Sequence, residues 1–489
     1  MASDDDLRPS KRLKVNEDDG DDDDLPLLFN NEKDSDDEAR KRREKRRQRW
    51  KLHASESCTP QQPPLAVPEV TTSSQQEQEQ NDSVRNNMVT EEPVVSVVNE
   101  DDGFDMFSSS VSPPQEPSVK TTTATTTIKN DDFDDEEGYY KPVIGETILC
   151  SSSQYKVLGL VGKGVFSTVL KAKSTTTSHD DTQKIVALKL IRNNETMRKA
   201  AQLEMRILRK LQPHAHVVQL LFPTTDKEIT EHHNHVVMCF DYMRYNLRDV
   251  LQKFGRGVGL SLQSIQLYFP QLLSALRHFK SHGVLHADLK LDNMLVSEDF
   301  STLQVCDFGS ASLVDEGGMI PTPYLVSRYY RAPEIILGAV PSYEIDLWSV
   351  GVTVAELFLG TILFKGSSNN DMLESMMQVL GPFSPKQIKQ HLLNTRMHPL
   401  PVHFENSFFL KQHVDKVSGQ KLSKRVSLQD YPTRPLQSLL LKAKAASDSR
   451  IRVLQFADLL RKCLALDPYK RVDLKQAMHH EFFNKTSGK

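Results

Sequence analysis

Groups that could transfer a phosphoryl unit crowd one stretch of this chain. His286-Ala-Asp288-Leu-Lys290-Leu-Asp-Asn293 sets a carboxylate, an ammonium and a carboxamide in one short loop, and Asp307 of Cys306-Asp307-Phe-Gly309 follows 14 residues after Asn293. Phosphoryl transfer needs a carboxylate to orient the attacking hydroxyl, a cation on the migrating phosphate, and oxygen donors for Mg²⁺. Magnesium takes few protein oxygens and fills its shell from the phosphates of its nucleotide. Asp288 and Lys290 therefore read as catalytic, Asn293 and Asp307 as metal ligands. Either half alone would be an ordinary loop; the order and spacing together carry the signal.

A second set could hold the phosphates themselves. Gly162-Lys163-Gly164-Val-Phe-Ser167-Thr-Val169 departs from G-x-G-x-x-G-x-V only by a serine in the third glycine slot. Its two glycines let backbone approach phosphate and let the loop act as a lid. Lys189 closes Val186-Ala187-Leu188-Lys189, and Glu204 follows 15 residues on, within a helical pattern. A Lys189–Glu204 pair would hold the ammonium against the α- and β-phosphates. Taken singly, a hairpin glycine pair, a surface lysine and a helix-surface glutamate are all commonplace.

The elements that must position these groups begin near Tyr155. Tyr155 to Val161 alternates into the glycine turn, Thr168 to Lys173 returns as a hairpin partner, and Ile185 to Ile191 reads as a third strand. Arg198 to Leu211 has helical apolar spacing, and His235 to Phe240 is another strand. Beyond Phe240 to Met243 the apolar period is helical, through Ile265 to Phe279, Leu347 to Phe358 and Leu454 to Leu464. The pattern predicts an α+β chain with a strand-rich part preceding a larger helical part.

Length and composition set the frame. The 489 residues carry a net charge of −4, which hides strong segregation. Residues 1–140 read as a disordered arm: acid runs at Asp4 to Asp6 and Asp21 to Asp24, a QQEQEQ tract from Gln75, and Thr121 to Thr127 broken only by Ala124. Two basic clusters, Lys11 to Lys14 and Arg40 to Lys51, fit a solvated charge run or a nuclear import signal, and the accessible arm favours import. Direct specific nucleic-acid binding is not expected, since aromatic residues do not interleave the charges. The five cysteines show no paired spacing, so neither a disulfide framework nor a zinc site is expected. No apolar run approaches membrane-spanning length, and no signal-peptide core precedes the arm. A soluble, intracellular chain is the expectation.

Residues 155–483 resemble a eukaryotic protein kinase, with the signatures above in order and Arg331-Ala-Pro-Glu334, Asp346-Leu-Trp348 and Arg471 downstream. Tyr324-Leu-Val-Ser-Arg328-Tyr-Tyr-Arg331 and a long insert, about 361–447, resemble the CMGC group. Glu137-Gly-Tyr-Tyr140, Ile191 to Glu195, His286-Ala-Asp288 and Cys306 to Ser312 are similar to the splicing-associated pre-mRNA processing factor four kinases. That resemblance implies a two-lobe kinase fold: a five-stranded antiparallel β-sheet lobe with one major helix, then a larger helical lobe. It implies a nuclear serine/threonine kinase using ATP and Mg²⁺ on spliceosomal or arginine/serine-rich proteins. Adenine would lie between Val169 and Ala187 above and Leu295 below, beside Val161, bonding backbone near Asp241 and Met243, with Phe240 as gatekeeper. Lys189 and Gly162-Lys163-Gly164 would hold the phosphates. Glu334 and Arg471 would form a buried ion pair anchoring the activation segment.

Two departures bear on regulation. Ala287 stands where the family's arginine would clasp an activation-loop phosphate, so altered regulation is expected with Asp288 intact. Tyr324 precedes Arg328 and Arg331, whose guanidinium groups suit a phosphotyrosine; the readings are autophosphorylation or simple packing. Arg328 hints at proline-directed substrates without establishing them. Two other functions fit the chain less well. A kinase-fold scaffold docking spliceosomal partners would have lost one of the five site residues, and an RNA-tethered factor would depend on residues 1–140 rather than on phosphate transfer.

Overall fold

The structure is a computed structural model that describes residues 133–150, 153–175, 184–223, 230–314, 323–414, 420–429, 431–443 and 448–484. The acid runs, the basic clusters and Cys58 lie outside the described residues. Residues 133–140, placed in the arm on composition, pack on the small lobe with Tyr139 and Tyr140 buried. Their acidic neighbours mask this in the sequence.

The small lobe is built on a seven-stranded antiparallel sheet rather than five strands. Its strands are β1 (Thr147–Cys150), β2 (Ser153–Lys163), β3 (Ser167–Ser174), β4 (Ile185–Ile191), β5 (Leu220–Phe222), β6 (Glu231–His232) and β7 (His235–Asp241), in the order β1-β2-β3-β4-β7-β5 with β6 on β7. The three strands that the sequence reading did not locate, β1, β5 and β6, are four, three and two residues long, too short for a periodic signal. Period-2 alternation sends Leu170, Val186, Leu188 and Cys239 into a small apolar core. Val169, Ala187 and Lys189 alternate with those residues and remain half-buried on the opposite face. Antiparallel register sets Val169 opposite Lys189 and Ala187 opposite Phe240, so one face gathers these four side chains.

Helix α1 (Glu195–Leu211) starts where the Asn194 side chain accepts hydrogen bonds from the backbone of Thr196 and Met197, a cap worth about 1 kcal/mol. Its buried stripe is Ala201, Met205, Ile207, Leu208 and Leu211, with Glu204 on the same face.

The large lobe holds α2 (Leu247–Phe254), α3 (Leu262–Ser281), α4 (Pro333–Ile336), α5 (Glu344–Leu359), α6 (Asn369–Leu380), α7 (Pro385–Met397), α8 (Leu436–Ala443), α9 (Arg450–Cys463) and α10 (Leu474–Met478). Every residue of α5 from Ile345 to Phe358 is buried, as befits a helix apolar on all sides. It is the pillar under the catalytic loop. The insert is folded: α6, α7, a three-stranded sheet of Phe404–Glu405, Phe408–Val414 and Lys421–Ser427, and α8 join the lobe's core through Met376, Ile388, Phe404, Phe409, Leu436 and Leu440. Among the described residues no helix is long and apolar enough to cross a membrane.

Candidate active site

The catalytic loop hangs from α5. Both oxygens of buried Asp346 accept backbone N–H groups, from His286 at 2.8 Å and from Ala287 at 3.0 Å. Ala287 sits at φ +60° and is buried, a left-handed turn this pair of bonds holds in place. The His286 ring bridges to Cys306 O at 3.1 Å and accepts the Asp288 N–H at 3.2 Å. In the sequence Asp346 stands only as part of a downstream signature; its hold on the loop needs contacts from 60 residues away.

Asp288 ends up buried within a ring of partners. Ser327 Oγ donates to its Oδ1 at 2.6 Å, Lys290 Nζ lies 3.0 Å from Oδ2, and Asn293 Nδ2 reaches Oδ2 at 3.1 Å. Burial pushes the Asp288 carboxyl above its usual range, with Lys290 and Ser327 opposing. Ser327 also receives Lys290 Nζ at 3.3 Å. This hydroxyl occupies the place where an acceptor hydroxyl would meet the carboxylate and the ammonium. Sequence reading passed over Ser327, since nothing but its nearness to Arg328 marks it.

The metal-site residues fit magnesium. Asn293 commits its Nδ2 to Asp288 O at 2.9 Å and to Asp288 Oδ2, which leaves its amide oxygen for a cation. Asp307, at φ +62° and 43 % exposed, offers carboxylate oxygen. Two hard oxygen donors would suit an ion that completes its shell from phosphate and water. When bound, the ion would neutralise phosphate charge.

Lys189 joins the lobes. Its Nζ lies 2.7 and 2.9 Å from the two oxygens of Glu204 and 3.1 Å from Asp307 Oδ1. Burial alone would lower the ammonium, but the two carboxylates outweigh it and hold the group above its usual value. The same lysine holds Asp307 below the usual carboxylate range against the effect of burial. Phe308, next in the chain, is buried against Phe279 and His286. The lysine, glutamate and aspartate thus form one connected ion cluster.

Of the expected adenine residues, Val169, Ala187 and Phe240 share the half-buried face described above. Leu295 is half-buried on the large lobe, on the strand Met294–Val296. Val161 is 47 % exposed on β2. Asp241 ends β7 and pairs with Lys184 at 2.7 Å, with Met243 following in the connection. On the glycine-rich turn, the Lys163 ammonium lies 2.5 Å from Asp135.

The Glu334–Arg471 pair is present and buried, with Arg471 Nη2 at 2.6 Å and Nη1 on the other oxygen. Arg331 is committed to the segment itself. Its guanidinium is buried and donates to the carbonyls of Tyr324, Leu325 and Val326 and to Asn369 Oδ1 at 2.6 Å. It braces the segment from within, while Arg328 is half-buried beside it. Tyr324 is 39 % exposed, its ring 5.8 Å from the Arg331 guanidinium.

Residues 155–483 match the family described as protein kinase domain. The chain is 41 % identical over 355 residues to the serine/threonine-protein kinase prp4 of Schizosaccharomyces pombe, covering 71 % of this chain and 70 % of that one. It is 39 % identical over 356 residues to the serine/threonine-protein kinase prpf4B of Dictyostelium discoideum, covering 71 % of this chain and 41 % of that one. Against human cyclin-dependent kinase-like 2 the identity is 30 % over 334 residues, 68 % of this chain and 58 % of that one. The chain thus spans about two fifths of its Dictyostelium relative. The match covers every residue from the glycine-rich turn to Arg471, and on that basis the chain belongs to the protein kinase family and groups with its prp4-type serine/threonine kinases.

Proposed function

We propose that this protein transfers the γ-phosphoryl group of ATP, with Mg²⁺, to serine or threonine hydroxyls of other proteins. The observation that carries this is Asp288: a buried carboxylate already meeting a hydroxyl, from Ser327, at 2.6 Å beside Lys290. An acceptor hydroxyl taking that place would be oriented by Asp288, with Lys290 on the migrating phosphate and Asn293 and Asp307 on the metal. Complete machinery speaks against the scaffold alternative.

The substrates are proteins of the nuclear splicing apparatus, including arginine- and serine-rich factors, on the strength of the resemblance and the arm's basic clusters. The segment beside the acceptor position favours proline after the acceptor. Val326 is buried at φ +72°, and its carbonyl is taken by Arg331 Nε at 3.2 Å and Nη2 at 2.9 Å. That carbonyl is unavailable to a substrate N–H, which proline lacks. Tyr324 is an autophosphorylation site whose phosphate would be received by Arg328, with Arg331 already engaged by backbone.

The test is transfer of labelled phosphate by the full chain to an arginine- and serine-rich splicing protein, followed by phosphoamino-acid analysis and mapping of the enzyme's own phosphopeptides. Phosphoserine or phosphothreonine in the substrate with phosphate on Tyr324 is expected. Phosphotyrosine alone in the substrate would overturn the hydroxyl assignment, and an unmodified Tyr324 in active enzyme would remove the autophosphorylation step.

A further inference from the structure

Residues 133–146 form a strap outside the sheet that reaches the glycine-rich loop. An aspartate-centred turn shapes it: Asp135 Oδ1 accepts the N–H groups of Glu137 at 3.0 Å and Tyr139 at 2.9 Å. Gly138 takes φ +81° there, and a Cβ would stand 3.2 Å from Asn193 O, so the turn demands glycine. The strap is fastened at its base. Asp134 Oδ1 lies 2.7 Å from Nε2 of fully buried His235, Phe133 stacks on His233 at 3.6 Å, and the Tyr140 hydroxyl donates to Glu146 at 2.6 Å.

From that base the strap grips both sides of Gly164. Tyr139 Oη donates to Val165 O at 2.8 Å, and Asp135 Oδ2 meets Lys163 Nζ at 2.5 Å, with that ammonium 4.0 Å above the Tyr139 ring. The other face of the grip holds the start of α1. Arg192 lies 4.8 Å over the Tyr139 ring and donates to Glu137 O, Asn193 Nδ2 reaches Asp134 at 2.9 Å, and the Asn193 N–H donates to Gly138 O at 2.8 Å. Helix α1 then carries Glu204 to Lys189.

The loop has reason to need a hold. A Cβ on Gly162 would meet nothing within 4 Å, and one on Gly164 only Ser167 O at 3.9 Å, so packing does not fix these residues. The exposed Lys163–Asp135 pair is worth little by itself. The half-buried phenol-to-carbonyl bond, with its ring between two cations, is the stronger tie.

We infer that the strap is a positioning element of the nucleotide site, with Tyr139 holding the phosphate lid closed and in register with α1. The inference rests on the nucleotide reading above. It extends that reading to residues upstream of the matched segment and predicts that they set ATP affinity.

The experiment compares full-length wild type with Tyr139→Phe and Asp135→Asn. Phenylalanine keeps the packed ring; asparagine keeps an oxygen for the two turn N–H groups and loses the charge. Amide hydrogen exchange of residues 160–168 is read without nucleotide, and KM for ATP, kcat, KM for protein substrate and Tm are read in parallel. Tyr139→Phe is expected to speed exchange across the loop and to raise KM for ATP roughly two- to tenfold, with Tm and KM for protein substrate near wild type. Asp135→Asn is expected to do the same more weakly. Unchanged loop exchange at wild-type Tm would overturn the inference, as would a fall in Tm with no rise in KM for ATP, the mark of a merely structural strap. The exchange arm needs no catalysis, so a wild type that failed to use ATP would sink the nucleotide reading while the clasp was still judged.

Discussion

The proposed preference for proline after the acceptor can be worked out from one backbone angle. Val326 is β-branched and buried, yet holds φ +72°, a conformation costing about 1–2 kcal/mol per residue. Two bonds from Arg331 to its carbonyl sustain it. Ser327, next in the chain, touches Asp288, and the proposed reading sets Val326 against the residue that follows the acceptor. A substrate residue there with an N–H would desolvate it without an acceptor, at about 1–3 kcal/mol. That is roughly 5- to 150-fold in kcat/KM for Ser-Pro over Ser-Ala in matched peptides. Ser-(N-methyl)Ala, which also lacks the N–H, should recover most of the gain. Val326→Gly, free to turn its carbonyl outward, should shrink the preference to a few-fold or less. Steady-state kinetics on the three peptides decide it. Equal use of Ser-Pro and Ser-Ala by wild type, or no gain from N-methylation, would refute the reasoning.

Two other predictions concern stability. Arg471→Met leaves buried Glu334 without its bidentate partner and should cost about 3–5 kcal/mol in urea unfolding. Pairing it with Glu334→Leu should return much of that loss, and a double variant as unstable as the sum of the singles would contradict the ion-pair account. His403 is buried with its Nε2 unpartnered and its Nδ1 3.1 Å from Asn370 Nδ2, and burial lowers it to about 3. Unfolding therefore takes up a proton as pH falls below its free value of about 6.5. Its share of stability is complete above that pH and is lost on acidification by up to about 1.4 kcal/mol per pH unit. His403→Gln should flatten that slope between pH 6.5 and 5, and an unchanged slope would show that the group does not carry it.

Local spacing made the candidate site legible as a cluster. Asp288, Lys290, Asn293 and Asp307 lie within 20 residues of one another, and Lys189 with Glu204 follow strand and helix periods. The long-range pair of Glu334 and Arg471 was legible only through the resemblance, since 137 residues separate them. What stayed hidden shares one cause: the partner is remote or the signal is masked. Tyr139 and Tyr140 are buried but follow an acid run, and Asp134 finds His235 101 residues away. The guanidinium of Arg331 suggested a phosphate partner, whereas a set of backbone carbonyls decides where it points. The insert's sheet rests on Phe404 and Phe409, two core anchors in a polar stretch.

The central claim is that Asp288 orients an acceptor hydroxyl for phosphoryl transfer. Its most direct measurement is the rate of labelled phosphate transfer by full-length wild type and Asp288→Asn, at saturating Mg·ATP, on an arginine- and serine-rich protein, with ATP affinity measured on both. The account predicts robust transfer by wild type, a fall of at least 10²-fold in Asp288→Asn as expected for a lost acid–base group, and ATP affinities within a few-fold of each other. A folded, ATP-binding wild type that transfers nothing, or an Asp288→Asn that transfers as wild type does, would contradict it.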